Sequence, residues 1–459
     1  MGVLAKIHVQ NYGRIRDAEI ELRPFTVFIG PNNTNKTWVA YAINGLVQSL
    51  SAARFFFRTN SAMEPVPGFH PPVGIIESCD AAAKRISLGL IADATVSTSS
   101  MNVYRAELLE ELHLDEWVDF SLDAGGLANL LALEESPLKD ACVTLKMKRR
   151  DVLDGGLINH LEISLERPSS NLRVVPRDNA GNSRYETNIG LRSLKGPPNA
   201  SDVQKWISDF TRWLALGVFQ GSVAFPAERN GLLSTYKFLT GPTTQIALNH
   251  ASQDFVNLVR YADNTRRSSG GPCRHVNQIL ERMVLGGTLS FGPDAESSGM
   301  AYTLEGGPRV DVEAAASLVR SLAGFYCYFQ HHALDHDLII VDEPEMNAHP
   351  EAQLRLTEFF SALVHQEFRV LITTHSPYMV DHLNNLVAAW DVPGEKRGSV
   401  PASAYAINPD DVAVYLFDNG EVKDIFNRDE AVIDLETFGK SSDYVNNLYS
   451  QILRLQAAR

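Results

Sequence analysis

The sequence predicts an α/β fold, a mixed sheet flanked by helices, with an inserted α+β lobe and a short helical insertion. Three observations predict it. A continuous apolar strand, Phe25-Thr26-Val27-Phe28-Ile29, runs through Gly30-Pro31-Asn32-Asn33-Thr34-Asn35-Lys36-Thr37 into a segment with apolar residues at Val39, Ile43, Leu46, Val47 and Leu50, which is helical spacing. Leu338-Ile339-Ile340-Val341 is a second apolar run and ends in Asp342-Glu343. FRVLITT, residues 368–374, is a third and ends at His375. Unbroken apolar strands are buried on both faces, as in parallel sheets covered by helices.

In chain order, residues 4–9 and 18–22 alternate apolar and polar around NYGRIRD and read as a β-hairpin. With the strand at 25–29 and the helix at 36–50 they form a first core segment, 1–50. Residues 51–205 change texture: proline and glycine recur, then a helical run (YRAELLEELHL), then strand-like runs (CVTLKMK, HLEISLE, LRVV). They are expected to form the mixed insertion. The core returns over 206–240, with a helix at 202–219 and a strand at 222–226. Residues 241–284 read as the helical insertion, too short for a coiled-coil arm. The core resumes over 285–390, with helices at 312–334 and 350–365 around the two apolar strands. The remainder, 391–459, holds a polar linker at 391–403, a hairpin (VAVYLF-DNG-EVKDIF) whose Asn-Gly favours a tight turn, and a helix over the last 20 residues. No internal repeat is present.

The 459 residues are 44% apolar and 21% charged, ordinary for a globular protein. No stretch approaches the ~18 unbroken apolar residues of a membrane span. Net charge is −14, so the chain as a whole is not a basic nucleic-acid binder. The basic clusters at Lys146–Arg150 and Arg266-Arg267 read as solvated faces. The four cysteines, at 79, 142, 273 and 327, match no metal or redox spacing and suit a reducing compartment. The N-terminus has no signal-peptide core, and a cytoplasmic location without membrane contact is expected.

The strand–loop–helix at Gly30–Thr37 follows the phosphate-binding pattern G-x-x-x-x-G-K-[ST]. In such a loop the backbone N–H groups of Gly30, Asn32, Asn33, Thr34 and Asn35 face phosphate oxygens at a helix N-terminus. Lys36 would neutralise the β and γ phosphates, and the Thr37 hydroxyl would ligate Mg²⁺. Asn35 stands where the second glycine belongs; asparagine tolerates a left-handed backbone, and its amide is free to donate to a phosphate oxygen. Phosphoryl transfer needs one carboxylate to position Mg²⁺ and another to orient water. Asp342 and Glu343, at a strand end, fit those two roles. His375 ends the neighbouring strand, so the topology of a parallel sheet brings all three motifs to one edge.

The order GPNN-x-x-KT, LIIVDEPEMNAHP, ITTHSP resembles the ABC-type ATPase heads of the RecF, SMC and OLD class. It is similar to the compact bacterial ATPases of the AAA-15 and AAA-21 type. Phe225-Pro226-Ala227-Glu228-Arg229 resembles their Pro-Ala-Glu-Arg stretch, and the opening hairpin their first two strands. The resemblance covers roughly 1–50 and 220–390 and hardly touches 51–205. It implies an ABC-type ATPase head that hydrolyses ATP with Mg²⁺, with Glu343 as catalytic base or water-orienting residue and His375 on the γ-phosphate. It also implies a head-to-head dimer in which a signature helix caps the partner's γ-phosphate. The matching segment is Ala315–Leu322, which would present Ser317 in trans; Leu318 replaces the usual glycine, and Ala348 the usual leucine before His349.

Within the class, the chain is similar to the stand-alone ATPase subunits of anti-phage systems such as PARIS and Septu. That implies a sensor or scaffold role, an effector nuclease encoded nearby as partner, and a phage protein or DNA as trigger. Two other readings stay open: a RecF/SMC-like DNA-repair ATPase, or a nucleotide-dependent binding module with little hydrolysis, since Asn35 and Leu318 depart from the pattern.

Overall fold

The computed structural model describes residues 2–59, 117–148, 221–239, 248–265, 273–291, 299–393 and 398–434, with shorter pieces at 69–70, 84, 102–107, 160–166, 171–177, 187–190, 396 and 447–449. Its strands in chain order are β1 (Ala5–Tyr12), β2 (Ile15–Leu22), β3 (Phe25–Ile29), β4 (Phe69–His70), β5 (Asn102–Glu107), β6 (Trp117–Leu122), β7 (Cys142–Lys148), β8 (His160–Glu166), β9 (Asn171–Arg177), β10 (Thr187–Gly190), β11 (Ser222–Phe225), β12 (Gly287–Phe291), β13 (Met300–Leu304), β14 (Arg309–Asp311), β15 (Leu338–Asp342), β16 (Arg369–Thr374), β17 (Val412–Asp418), β18 (Glu421–Asp424), β19 (Phe426–Asn427) and β20 (Val432–Ile433). The main helices are α1 (Lys36–Thr59), α2 (Ala124–Leu131), α3 (Arg229–Leu239), α4 (His250–Asn264), α5 (His275–Leu280), α6 (Ser317–His331), α7 (Pro350–His365) and α8 (Pro377–Ala388).

The central sheet has the order β11-β15-β16-β3-β17-β18. Its first five strands run parallel and β18 returns antiparallel, so the sheet is mixed. Every residue of β3, β15 and β16 is buried, which is why these strands lack polar alternation. Helices cover them: Phe25 meets Phe360 of α7 edge-on, and Phe225 of β11 stacks on Phe325 of α6 at 3.9 Å. Parallel pairing puts the C-terminal ends of β3, β15 and β16 side by side, so the three motifs leave the sheet at one edge.

Two motif endings are helix starts. His349 caps α7 ahead of Pro350, and Ser376 caps α8 ahead of Pro377, its hydroxyl accepting from Met379 N–H at 3.2 Å. Proline suits the first helical position because the N–H it lacks has no intrahelical partner there.

A second sheet, order β2-β1-β7-β6-β4, is antiparallel. It changes the reading of 51–205. β6 and β7 are paired directly with the opening hairpin, Val9 facing Val143 and Ile7 facing Leu145. Residues 117–148 therefore complete the hairpin's sheet rather than stand in a separate lobe, and α2 between them lies against α1, with Leu130 beside Gly45. Strands β5 and β8–β10 form another sheet.

Other segments also differ from the sequence expectation. The helix read over 312–334 is a short 3-10 turn at Val312–Ala314, two extended residues, then α6. That break puts Ser317 at a helix N-terminus. Strands β12, β13 and β14, within 287–291 and 299–311 and given no local structure from the sequence, pair antiparallel in that order. The expected helices at 202–219 and over the last 20 residues lie outside the described residues, apart from 447–449, as do Arg149, Arg150, Arg266, Arg267 and Cys79.

Candidate nucleotide site

The loop between β3 and α1 is wound around the Lys36 ammonium, which donates to Gly30 O at 3.0 Å, Pro31 O at 2.7 Å and the Thr34 hydroxyl at 3.3 Å. Burial pulls the Lys36 pKa down to about 8, and Glu343, Asp342 and Glu345 pull it part of the way back. Gly30 has φ +137°, and a Cβ there would collide with Phe417 O of β17, so glycine is required. Asn33 and Asn35 sit at φ 63° and 69°, the left-handed region asparagine tolerates. The Asn35 side chain makes a contact that the sequence did not show. Its Oδ1 accepts from Arg14 N–H at 2.9 Å, and its amide packs where a Cβ on Gly13 would go. It ties the loop to the β1–β2 turn.

Thr37, at the start of α1, donates its hydroxyl to Asp342 Oδ1 at 2.8 Å. The Thr373 hydroxyl also bonds Asp342 Oδ1, and Tyr41 OH reaches Oδ2 at 3.4 Å. Asp342 is 4% exposed, and its carboxylate collects three donors from two elements, α1 and β16. Burial raises its pKa, opposed by the Thr373 and Thr37 hydrogen bonds. Neither Tyr41 nor Thr373 was singled out from the sequence. Tyr41 lies one helical turn after Thr37, a spacing that puts both on one face of α1.

Glu343 follows with φ +45°, a strained conformation for a non-glycine residue. Its N–H is held by Thr373 O at 3.0 Å. Its carboxylate lies 3.6 Å from His375 Nε2, both side chains about one-third exposed. Burial, then the Lys36 charge, lowers the His375 pKa. Glu345 Oε1 accepts from His375 N–H at 2.6 Å and from the Thr374 hydroxyl at 2.8 Å, fixing the β16 end. Gly30, Lys36, Thr37, Asp342, Glu343 and His375 thus meet at one sheet edge.

The AAA-15 family model, described as an AAA ATPase domain, matches residues 3–94 and 275–380. Over those two segments the chain is similar to that family's ATPase domain. The two matched segments bracket the phosphate loop at one end and the β15 and β16 motifs at the other. No curated protein matches the sequence. Among solved structures, the chain is similar to the SMC head domain from Thermotoga maritima (9% identity, TM-score 0.32, covering 93% of this chain and 98% of that one). It is also similar to the Smc head domain with an extended coiled coil bound to the C-terminal domain of ScpA from Pyrococcus furiosus (11% identity, TM-score 0.33, 97% and 100%). Likeness at this level bears on none of the residue roles.

Ser317 is not part of the cluster within one head. It opens α6, and its hydroxyl accepts from Arg320 at 3.3 Å. Arg229, noticed in the sequence only as part of a resembling stretch, is the other residue the site depends on. It is 0% exposed and bonds the backbone at the ends of β11 and β15 and inside α6. No described helix is long and apolar enough to cross a membrane. Among the described residues no three or more His, Cys, Asp or Glu side chains are grouped to hold a metal ion. A Mg²⁺ site of the phosphoryl-transfer kind does not need such a group, because substrate phosphates supply most ligands.

Proposed function

We propose that this head binds ATP with Mg²⁺ and hydrolyses it to ADP and phosphate at a site completed by a second copy. The observation that carries this reading is the 2.8 Å bond between Thr37 and Asp342, residues 305 positions apart, with Glu343 and His375 beside it. The oxygen donors present, one hydroxyl and one buried carboxylate, suit Mg²⁺, which would neutralise charge on the β and γ phosphates.

The chain's own groups account for the rest. Gly30, Asn32, Asn33, Thr34 and Asn35 offer backbone N–H groups at the start of α1, whose dipole favours anions. Lys36 exchanges its carbonyl partners for phosphate oxygens. Glu343 orients the attacking water and takes its proton, and His375 holds the γ-phosphate side of the pocket. Ser317, at the N-terminus of α6, is offered to the nucleotide of the second copy.

In Lys36→Ala the cation is gone, and ATP binding should fall below detection by calorimetry. In Glu343→Gln binding should persist within about threefold while turnover drops by about 100-fold or more, because only the water step is lost. Equal ATP affinity in Lys36→Ala and the unmodified chain would sink the assignment.

For the wider role we propose a sensor or scaffold ATPase of an anti-phage system that restrains a separate effector nuclease until a phage protein or DNA arrives. The motif resemblance supports this. Purification with the neighbouring genes expressed should recover a nuclease bound to the head. Recovery of DNA with no protein partner would favour a repair role instead.

A further inference from the structure

Arg229 makes five hydrogen bonds with its five N–H donors, and all five acceptors are backbone carbonyls. Nε donates to Ser321 O at 3.1 Å. Nη1 donates to Pro226 O at 3.1 Å and Asp342 O at 2.9 Å. Nη2 donates to Glu343 O at 3.1 Å and Pro344 O at 3.3 Å. Burial lowers its pKa to about 10, with Asp342, Glu345 and Glu343 opposing, so it stays cationic at neutral pH. A rigid planar guanidinium can satisfy five fixed carbonyls; the three donors of a lysine ammonium cannot.

The acceptors define what it joins. Asp342 ends β15, and Glu343, held at φ +45°, and Pro344 follow it. A strained residue persists only where its surroundings over-determine it, and Arg229 fixes the carbonyl of Glu343 and those on either side. Ser321 lies one helical turn beyond Ser317 in α6. The β15 end cannot shift against α6 without breaking or carrying these bonds.

We propose that Arg229 is a positioning residue that couples the Glu343 turn to helix α6, so that nucleotide at the phosphate loop sets the placement of Ser317. The inference rests on the nucleotide reading above. Arg229 touches no nucleotide in this scheme.

The test is hydrogen exchange with and without Mg²⁺ and ATPγS, read in a peptide over the phosphate loop and a peptide over α6, on the full chain and on Arg229→Lys. In the unmodified chain both peptides should slow. In Arg229→Lys the loop peptide should slow as before, with ATP affinity within about threefold, while the α6 response is lost and kcat falls about tenfold or more at nearly unchanged KM, as for small misplacements of a reacting group. Slowing of the loop without α6 in the unmodified chain overturns the coupling. So does an Arg229→Lys protein that keeps the α6 response and kcat. A parallel loss of affinity, loop protection and turnover in the variant marks Arg229 as merely structural and also overturns it. If Arg229→Lys does not fold, the α6 response of the unmodified chain decides alone. If neither peptide responds and ATPγS does not bind, the nucleotide reading has failed and the coupling falls with it.

Discussion

Lys36 carries a measurable pH signature. Its folded pKa, about 8, lies below the ordinary lysine value because the ammonium is buried. Between about 8 and that ordinary value the unfolded chain holds more protons, so this group's contribution to stability rises with pH across the window, and its burial penalty is felt in full at neutral pH. Bound phosphates favour the cation. ATP affinity should therefore weaken as pH rises past about 8, with proton uptake on binding near pH 9, seen by calorimetry in two buffers of different ionisation enthalpy. Lys36→Arg should show no uptake, since arginine stays protonated. Lys36, Thr37 and Asp342 were legible in the sequence because a phosphate loop and a strand-end carboxylate are local patterns. The Asn35 side chain was not, because its partner Arg14 lies 21 residues away on another turn. That contact gives its own prediction. Gly13 has φ +64°, and a Cβ there would strike Asn35. Gly13→Ala should lose about 1–3 kcal/mol in urea unfolding. Adding Asn35→Gly should recover the steric part, leaving the dihedral strain. Asn35→Gly alone should change ATP affinity by less than about fivefold, or about 1 kcal/mol. A much larger change would mean the side chain does act on phosphate.

At the scale of elements, helix α6 is fixed from two sides, by Arg229 at Ser321 and by packing at Gly324. A Cβ on Gly324 would enter the ring of Phe255 in α4, a fully buried side chain edge-on to Phe225. Alanine is normally the better helix former by about 1 kcal/mol. Here overpacking should win, and Gly324→Ala should lower the urea midpoint by an amount equivalent to about 1–3 kcal/mol. A more stable variant would show that α4 and α6 are less closely packed than described. The buried strands β3, β15 and β16 could be read from the sequence because each is built on consecutive apolar residues, 27–29, 338–341 and 370–372. The sheet of β12, β13 and β14 could not. Its strands are short and partly exposed, with burial alternating irregularly from Gly287 to Phe291, so no period marks them. The break before α6 was hidden for a similar reason. Ala314, Ala315 and Ala316 carry no signal against a helix, yet Ala315 and Ala316 are extended.

For the whole molecule, the proposed shared site makes a mixing experiment decisive. Lys36→Ala removes one half-site and Ser317→Arg the other. A mixed dimer keeps one interface with both intact elements, so part of the ATPase activity should return on mixing. No recovery at any ratio, with mixed dimers shown to form by native mass spectrometry, would argue against a shared site. Motif order showed which strands meet at the active edge, but not that residues 117–148 complete the hairpin's sheet. That pairing joins Val9 to Val143 across a long excursion, and pairing partners at such separations leave no trace in local pattern. The same property has a consequence for synthesis on the ribosome. Strand β3, which feeds the phosphate loop, pairs with β16 on one side and β17 on the other, Phe25 facing Val370 and Val412. Both neighbours emerge far later than β3 itself. At usual elongation rates the five residues of β3, four of them apolar, wait on the order of half a minute with both edges unpaired. The nascent chain thus holds a buried, largely apolar strand open until β17 has left the exit tunnel, and it becomes competent for nucleotide only then, a timing that favours chaperone engagement early in translation.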